Sequence, residues 1–535
     1  MGGPLKILLA VCCLVLLIAC ANVANLLLAR GSGRSVELSV RMALGAGRLR
    51  VLRQLLTEAL FLAALATLAA GPMTMWMMTS LGYLIPRGDL PSGADIHLNG
   101  DTLAFTAILC VLVSLAAGAA PALYALRGAL REGLAAGGRS GTSAAASART
   151  RGMLVSAEVA LALVAIIGAA LFARSFQVAA GVNPGFDTHD VVLSHLDLTT
   201  AGYSVPQRRD FCQRLRERMR TEPGVESAAY VDLLPLGYDY SWEPLQVEGY
   251  VARQGAETNI DRAVVSPGYL GLLKIPLVEG RDFTEHDDEN SNPVAIVNET
   301  FVRLYFHGRN PVGARIHGWG KWFTVVGVAA DSKYRTPTEA PRPFFYVAFR
   351  QIYRADMHIA FLVRTRAADA QALAQLRGAI RSLDPEVGVY GSETLADSIG
   401  VALMPQRMAA SLLGALGAIA LVLAALGLYS VMAYTVVQRR QELAIRMAIG
   451  AKAADLLRLV VRQGMSMTGV GLLAGVAAAA AVTRIASGLL FGVSSTDPAI
   501  FTGATVFLAV VALAACWLPA HRATRIDPNT ALRQQ

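Results

Sequence analysis

Seven apolar runs punctuate this chain, and each is long enough to cross a bilayer. They cover about Leu5–Leu28, Leu60–Leu84, Leu103–Tyr124, Met153–Phe172, Ala409–Val437, Met465–Ile485 and Ile500–Leu518. A bilayer core needs about 20 apolar residues per helix. Backbone groups inside that core must bond within their own segment, so these runs are confined to helices. The bulk composition agrees. The 535 residues are 54% hydrophobic and only 16% charged, against about 25% charge in soluble domains. Mean hydropathy is +0.45.

The basic residues orient the spans. The net charge of +9 would indicate nucleic acid or an acidic surface on a soluble chain. Here the Lys and Arg residues sit in alternate loops, and no nucleic-acid partner is expected. Arg30, Arg34, Arg41, Arg48, Arg50 and Arg53 separate the first two spans. Arg127, Arg131, Arg139, Arg149 and Arg151 separate the third and fourth, and Arg439, Arg440, Arg446, Lys452, Arg458 and Arg462 the fifth and sixth. Arg522, Arg525 and Arg533 follow the last. Cytoplasmic loops collect such charge, so the N-terminus and the segment 174–407 are expected outside. An N-out start with no preceding span hints at a missing upstream one. Leu17-Ile18-Ala19-Cys20 resembles a lipoprotein cleavage box, but cleavage there would strand the Arg-rich 30–53 segment outside.

Two cytoplasmic segments nearly repeat each other. Glu37–Ala46 reads ELSVRMALGA and Glu442–Ala451 reads ELAIRMAIGA, identical at seven of ten positions. The first three spans exit through Pro121-Ala122, Ala125 and Arg127, and the last three through Pro519-Ala520, Ala523 and Arg525. Leu38, Met42, Leu49, Leu52, Leu55, Leu56 and Ala59 approximate helical spacing, opposite Glu37, Arg41, Arg48 and Arg53. Gly45 and Gly450 mark matching bends. One such segment would serve as a surface helix on anionic lipid. Two copies in equivalent places favour a docking surface for a two-fold partner.

The segment 174–407 changes character. Strand and helix patterns alternate: Val191–Leu198, Val225–Leu234, Ala263–Val265, Val294–Val297, Phe323–Val328 and Ile359–Arg364 read as strands. Pro206–Thr221, Pro267–Leu273, Glu299–Phe306 and Asp369–Leu383 read as helices. This is an α+β domain of about 230 residues, enough for its own core and two lobes. Its acidic run Glu285-His286-Asp287-Asp288-Glu289 lacks the alternating carboxylates and Gly of a calcium loop and reads as a solvated loop. Tyr238, Tyr240 and Trp242 are weak substrate-binding candidates, since the same alternation fits one packed face of a strand.

Chemistry is sparse. The cysteines Cys12, Cys13, Cys20, Cys110, Cys212 and Cys516 show no metal spacing. No catalytic residues and no metal site are expected. No G-x-x-x-x-G-K-[ST] is present; Gly320-Lys321 has Arg315 where the first Gly belongs and Trp322 where Ser or Thr belongs. The only acid well inside a span is Glu158, read as an interfacial partner of Arg151.

These features together resemble the permease subunits of MacB/FtsX-like ABC transporters, in the branch with a duplicated permease unit. The resemblance rests on the paired Glu-Leu-x-x-Arg-Met-Ala-x-Gly-Ala segments and the Pro-Ala exits, with Asp527-Pro528 and Ala531-Leu532-Arg533 at the end. It also rests on Val265-Ser266-Pro267-Gly268-Tyr269, Gly280-Arg281-Asp282-Phe283, Val294-Ala-Ile-Val-Asn298 and Asn310-Pro311-Val312-Gly313.

The resemblance implies a polytopic α-helical membrane protein with about 7 transmembrane helices. It would carry one large α+β, two-lobed, MacB-core-like periplasmic domain. The implied divisions are a three-helix permease domain over 1–131, a cytoplasmic linker over 132–152, a span over 153–173, the periplasmic core over 174–407 and a second three-helix domain over 408–535. The first copy would lack its first span and first periplasmic domain.

The implied mechanism is mechanotransmission in a bacterial inner membrane. A separate dimeric cytoplasmic ATPase, holding ATP and Mg, would drive the chain, which needs no cofactor of its own. Glu37, Arg41, Gly45, Glu442, Arg446 and Gly450 would form the coupling helices. A periplasmic protein partner is also compatible. The alternatives are a non-transporting signal relay and an incomplete permease fragment or scaffold.

Overall fold

The computed structural model describes residues 2–33, 48–84, 100–101, 103–115, 141–237, 239–250, 259–354, 357–439, 442, 445–447, 449 and 451–523. The chain divides into two compact units: Met1–Val178 with Arg407–Gln535, and Ala179–Gln406.

The first unit is helical. Four helices are long and apolar enough to cross a membrane: Arg149–Ala180, Arg407–Gln438, Ala453–Ile485 and Pro498–Arg522. The three remaining apolar runs are helical over their described residues, within Gly2–Gly33, Arg48–Leu84 and Leu103–Leu115.

Small residues let these helices approach closely. The buried stripe of the Ala453–Ile485 helix runs through Leu456, Val460, Gly464, Thr468, Gly471, Gly475, Ala479 and Thr483. That spacing of three and four keeps one face inward. A Cβ at Gly471 would lie 2.6 Å from the Ser156 carbonyl oxygen, and one at Gly475 would lie 3.0 Å from Ala160 Cα. Backbone contact of this kind replaces the hydrophobic drive that lipid does not supply. The Ser156 hydroxyl adds a hydrogen bond to the Met467 carbonyl at 2.9 Å.

The second unit is built on a 12-stranded sheet. Its strands are β1 (Val191–Asp197), β2 (Val225–Val231), β3 (Ser241–Pro244), β4 (Gln246–Val247), β5 (Asn259–Val265) and β6 (Leu277–Gly280), followed by β7 (Val294–Asn298), β8 (Arg315–Gly318), β9 (Lys321–Ala329), β10 (Phe344–Ala348), β11 (Ala360–Thr365) and β12 (Gly388–Thr394). The order is β12-β1-β11-β2-β5-β10-β7-β9-β8-β4, with β3 beside β5 and β6 beside β9. The β2–β5 junction is a single pair, Val231 with Val265. The two halves of the sheet thus meet through one ladder pair, while the cores on its faces run across both.

Both faces of the sheet are covered. On β11, Phe361 and Val363 face one core, while Ala360 and Leu362 face the other. Phe211, Cys212 and Leu215 of the Val205–Arg220 helix, with Leu376 and Ile380 of the Asp369–Leu383 helix, cover the first face. Tyr269, Leu270 and Leu272 of a short helix cover the second. Two-sided burial explains why the central strands are almost continuously apolar.

Buried ion pairs also hold this unit. Asp232 takes the Arg262 guanidinium and the Val264 N–H at 2.7 Å. The acidic run 285–289 is a largely exposed loop, as expected, and three of its acids also pair with arginines. Glu285 meets Arg216, Asp287 takes two bonds from Arg281 at 2.8 and 2.9 Å, and Glu289 meets Arg350 at 3.2 Å.

Candidate functional site

The described part of the second repeated segment forms an exposed elbow. The Met404–Gln438 helix closes with Arg439 N–H on the Thr435 carbonyl at 3.1 Å. Ile449 N–H returns to the Ile445 carbonyl at 3.0 Å, and Ala451 N–H to the Arg446 carbonyl at 3.0 Å. The five-residue closure is the kind that ends a helical turn. Lys452 is then extended, at φ −75° and ψ 148°, and caps the Ala453–Ile485 helix. Asp455 lies in the first turn of that helix, where the dipole favours an acid.

The elbow presents both charge and apolar surface. Arg446 Nη2 donates to Glu442 Oε1 at 2.7 Å, and Arg439 Nε lies 3.9 Å from Glu442 Oε2. The Glu442 and Arg446 side chains are 45% and 49% exposed. Exposed pairs of this spacing contribute only about 0.3–0.5 kcal/mol, so either partner is free to exchange. Ile445 and Ile449, four residues apart, are 43% and 81% exposed. Glu37, Arg41, Gly45 and Gly450 lie outside the described residues.

Within the helical unit lies a polar cluster around Glu158. Glu158 is fully buried, and its Oε1 accepts from Asn25 Nδ2 at 2.9 Å. Asn22 Nδ2 donates to the Leu423 carbonyl at 2.8 Å. The expected Arg151–Glu158 ion pair is absent among the described residues. Seven helical residues separate these side chains by about 10 Å of rise, and the Arg151 guanidinium instead lies 4.4 Å from the Tyr434 ring centre. No single run displays the partnership, because Asn25 and Glu158 belong to different helices.

The aromatic candidates lie on the α/β unit. Tyr240 precedes β3 and Trp242 lies on it, 58% and 48% exposed, with Trp242 in register with Asp261. Arg335 stacks 4.1 Å from the Tyr240 ring centre and also pairs with Asp261. Arg342 approaches the same carboxylate at 3.3 Å. Tyr240, Asp261, Arg335, Tyr334 and Tyr346 line a cavity of about 20 Å³, room for a single water. Tyr238 lies outside the described residues. No cluster of three or more His, Cys, Asp or Glu side chains with metal-binding geometry occurs among the described residues.

A bundle of apolar helices with a charged elbow, together with a two-faced α/β unit, defines a multi-pass membrane protein with a large extramembrane domain. The family description "MacB-like periplasmic core domain" matches residues 217–383. The description "FtsX-like permease C-terminal" matches twice, over 9–130 and 414–528, and so spans both repeats. The chain belongs to the MacB/FtsX-like ABC permease family, and its α/β unit is a periplasmic segment.

Among curated relatives, it is 29% identical over 276 residues to the pyoverdine export ATP-binding/permease protein PvdT of Pseudomonas aeruginosa, covering 49% of this chain and 41% of that one. It is 28% identical over 298 residues to the macrolide export ATP-binding/permease protein MacB of Rhodospirillum rubrum, covering 53% and 44%. The chain thus spans less than half the length of these relatives. The periplasmic region of MacB from Actinobacillus actinomycetemcomitans aligns with a TM-score of 0.29 at 16% identity, covering 40% of this chain and 92% of that one.

Proposed function

We propose that this chain is an ABC transporter permease working by mechanotransmission. Its elbows at 37–53 and 442–458 receive the closing motion of a separate dimeric ATPase, which holds the ATP and Mg. The spans pass that motion to the 174–407 domain, which acts on substrate outside a bacterial inner membrane. Seven spans, with the divisions 1–131, 132–152, 153–173, 174–407 and 408–535, complete the arrangement.

The observation that carries this reading is the exposed turn at Glu442–Arg446, with Ile445 and Ile449 uncovered beside it. Its charges and its apolar residues are spaced to meet a protein groove. A near-copy of this decapeptide, identical at seven of ten positions, occurs at Glu37–Ala46. Export of a small molecule is the favoured task, in line with the pyoverdine and macrolide exporters named above. A second reading is a signal relay that activates a periplasmic partner; the small cavity beneath Tyr240 favours it there, while a hollow of about 250 Å³ beside Arg377, Arg381 and Tyr390 comes nearer to ligand size. Drug-sized ligands need roughly 300 Å³ or more.

The test is purification of the tagged chain from native membranes, with mass spectrometry for an ABC ATPase, beside the Arg41→Glu/Arg446→Glu variant. The expected result is an ATPase recovered with the parent and lost with the variant. A folded parent that brings down no ATPase would overturn the proposal.

A further inference from the structure

The cluster around Glu158 carries an inference beyond the permease reading and independent of it. Glu158 is 0% exposed, Asn25 1% and Asn22 8%. Glu158 Oε1 is satisfied by Asn25, but Glu158 Oε2 and Asn25 Oδ1 are buried without hydrogen-bond partners. Oε2 rests against the backbone of Gly427. A Cβ there would lie 2.1 Å from Oε2 and 2.5 Å from Asn22 Oδ1. Only glycine leaves room for the carboxyl at this crossing.

An ionised carboxylate in such a place costs several kcal/mol unless a cation answers it. Among the described side chains, no cation on the surrounding elements pairs with it. Arg151, on the same helix, covers the Tyr434 ring. On the Met404–Gln438 helix, the Tyr429 hydroxyl accepts from Arg522 at 3.0 Å. Asp455, Arg458 and Arg462 begin the Ala453–Ile485 helix, and the Gly2–Gly33 helix carries Lys6 and Arg30, whose side chains lie outside the described ones, with Cys20 between them. Among the described residues, the one hydrogen bond to the Glu158 carboxyl comes from the Asn25 amide. A metal ion such as calcium takes about six to eight oxygen ligands, and this cluster supplies fewer. A neutral acid removes the cost of the charge, since Oε1 accepts from Asn25 while an O–H on Oε2 faces the same Gly427 backbone that Asn22 Oδ1 approaches.

We propose that Glu158 is a proton-binding site of the membrane unit, protonated on Oε2 while Asn25 and Gly427 enclose it and deprotonated when the Gly2–Gly33 helix withdraws. On withdrawal the Oε2–H bond breaks, the electron pair stays on Oε2, and the proton passes to entering water. Glu158 lies five residues inside the Met153–Phe172 run, about 8 Å from its cytoplasmic end. Water from that side is therefore close. Each opening of this crossing releases one proton and each closing takes one up.

Infrared spectroscopy of the full chain in lipid nanodiscs tests this at about pH 7, where ordinary carboxyl groups are ionised. The parent is expected to show the C=O stretch of a protonated carboxyl group, and Glu158→Gln to lose it. Glu158→Gln should also melt within about 2 °C of the parent, because its amide accepts from Asn25 as the neutral acid does. A missing protonated band, or loss of a carboxylate band in Glu158→Gln, would overturn the proposal. Asn25→Leu gives a second reading that does not need the Gln variant to fold. Removing the N–H from Oε1 must move the protonated C=O band to higher frequency, and an unmoved band refutes the assignment.

Discussion

Gly471 lies so close to Ser156 that a Cβ on the glycine would sit 2.6 Å from the serine carbonyl oxygen. With the approach of Gly475 to Ala160, this contact sets the spacing of two helices. Substituting Gly471→Ala forces them apart and should cost about 1–3 kcal/mol. Gly469, two residues earlier, has nothing within 4 Å of its Cβ position. Gly469→Ala should be neutral or stabilise by up to about 1 kcal/mol through helix propensity. Thermal unfolding of the two variants in the same detergent checks the prediction. Equal melting temperatures would mean that the glycine row is not a packing seam.

The elbow offers a separation of folding from recognition. Exchanging the charges in Glu442→Arg/Arg446→Glu keeps an ion pair one turn apart, now with reversed order. The folded chain should lose no more than about 0.5 kcal/mol. Affinity for the partner ATPase should fall at least about tenfold, or 1.4 kcal/mol. Binding measured on purified, reconstituted components decides this. Unchanged affinity would leave the charges as simple interface anchors.

Much of the α/β unit was legible in the sequence, and the misses share a cause. The strand expected from Val191 and the helix expected over Asp369–Leu383 appear as β1 and as a helix with those bounds. Both carry a local signal, an apolar strand run or a helical stripe. β10, Phe344–Ala348, carries no local strand signal, because all five residues are buried and show no alternation. β12 carries none either, because Gly388–Thr394 is half-exposed and polar, and earns its place by pairing with β1 from far along the chain. Tyr240 and Trp242 alternate as one strand face would, but β3 begins at Ser241 and includes only the second. The elbow announced itself by repetition. Glu158 was visible as an acid in a span, while its partner Asn25 was not, being 133 residues away.

Asp232 and Arg262 form a buried pair, with side chains 2% and 8% exposed. Arg262→Met would leave the carboxylate buried with only the Val264 N–H and without its cation, and should destabilise the unit by about 3–5 kcal/mol. Adding Asp232→Asn should recover a large part of that loss, because the stranded charge is then gone. Urea unfolding followed by tryptophan fluorescence reads the result. No recovery in the double variant would show that the guanidinium acts through packing alone.

Asp187 predicts an acid limit for the same unit. A hydrogen bond from Lys274, followed by bonds from His189 and the charge of Arg364, outweighs partial burial and holds its carboxyl far below the ordinary range. An acid with a lowered folded value binds its proton more readily when unfolded. Its stabilisation is therefore complete above the ordinary value of about 3.9 and drains away as pH falls below it. Asp187→Asn should reduce stability at neutral pH, and its melting temperature should fall less steeply than the parent's between about pH 4 and pH 2. The two melting curves should converge toward the acid end. A constant gap across that range would mean that the carboxylate's charge contributes nothing, and that Lys274 and Arg364 are held by other partners.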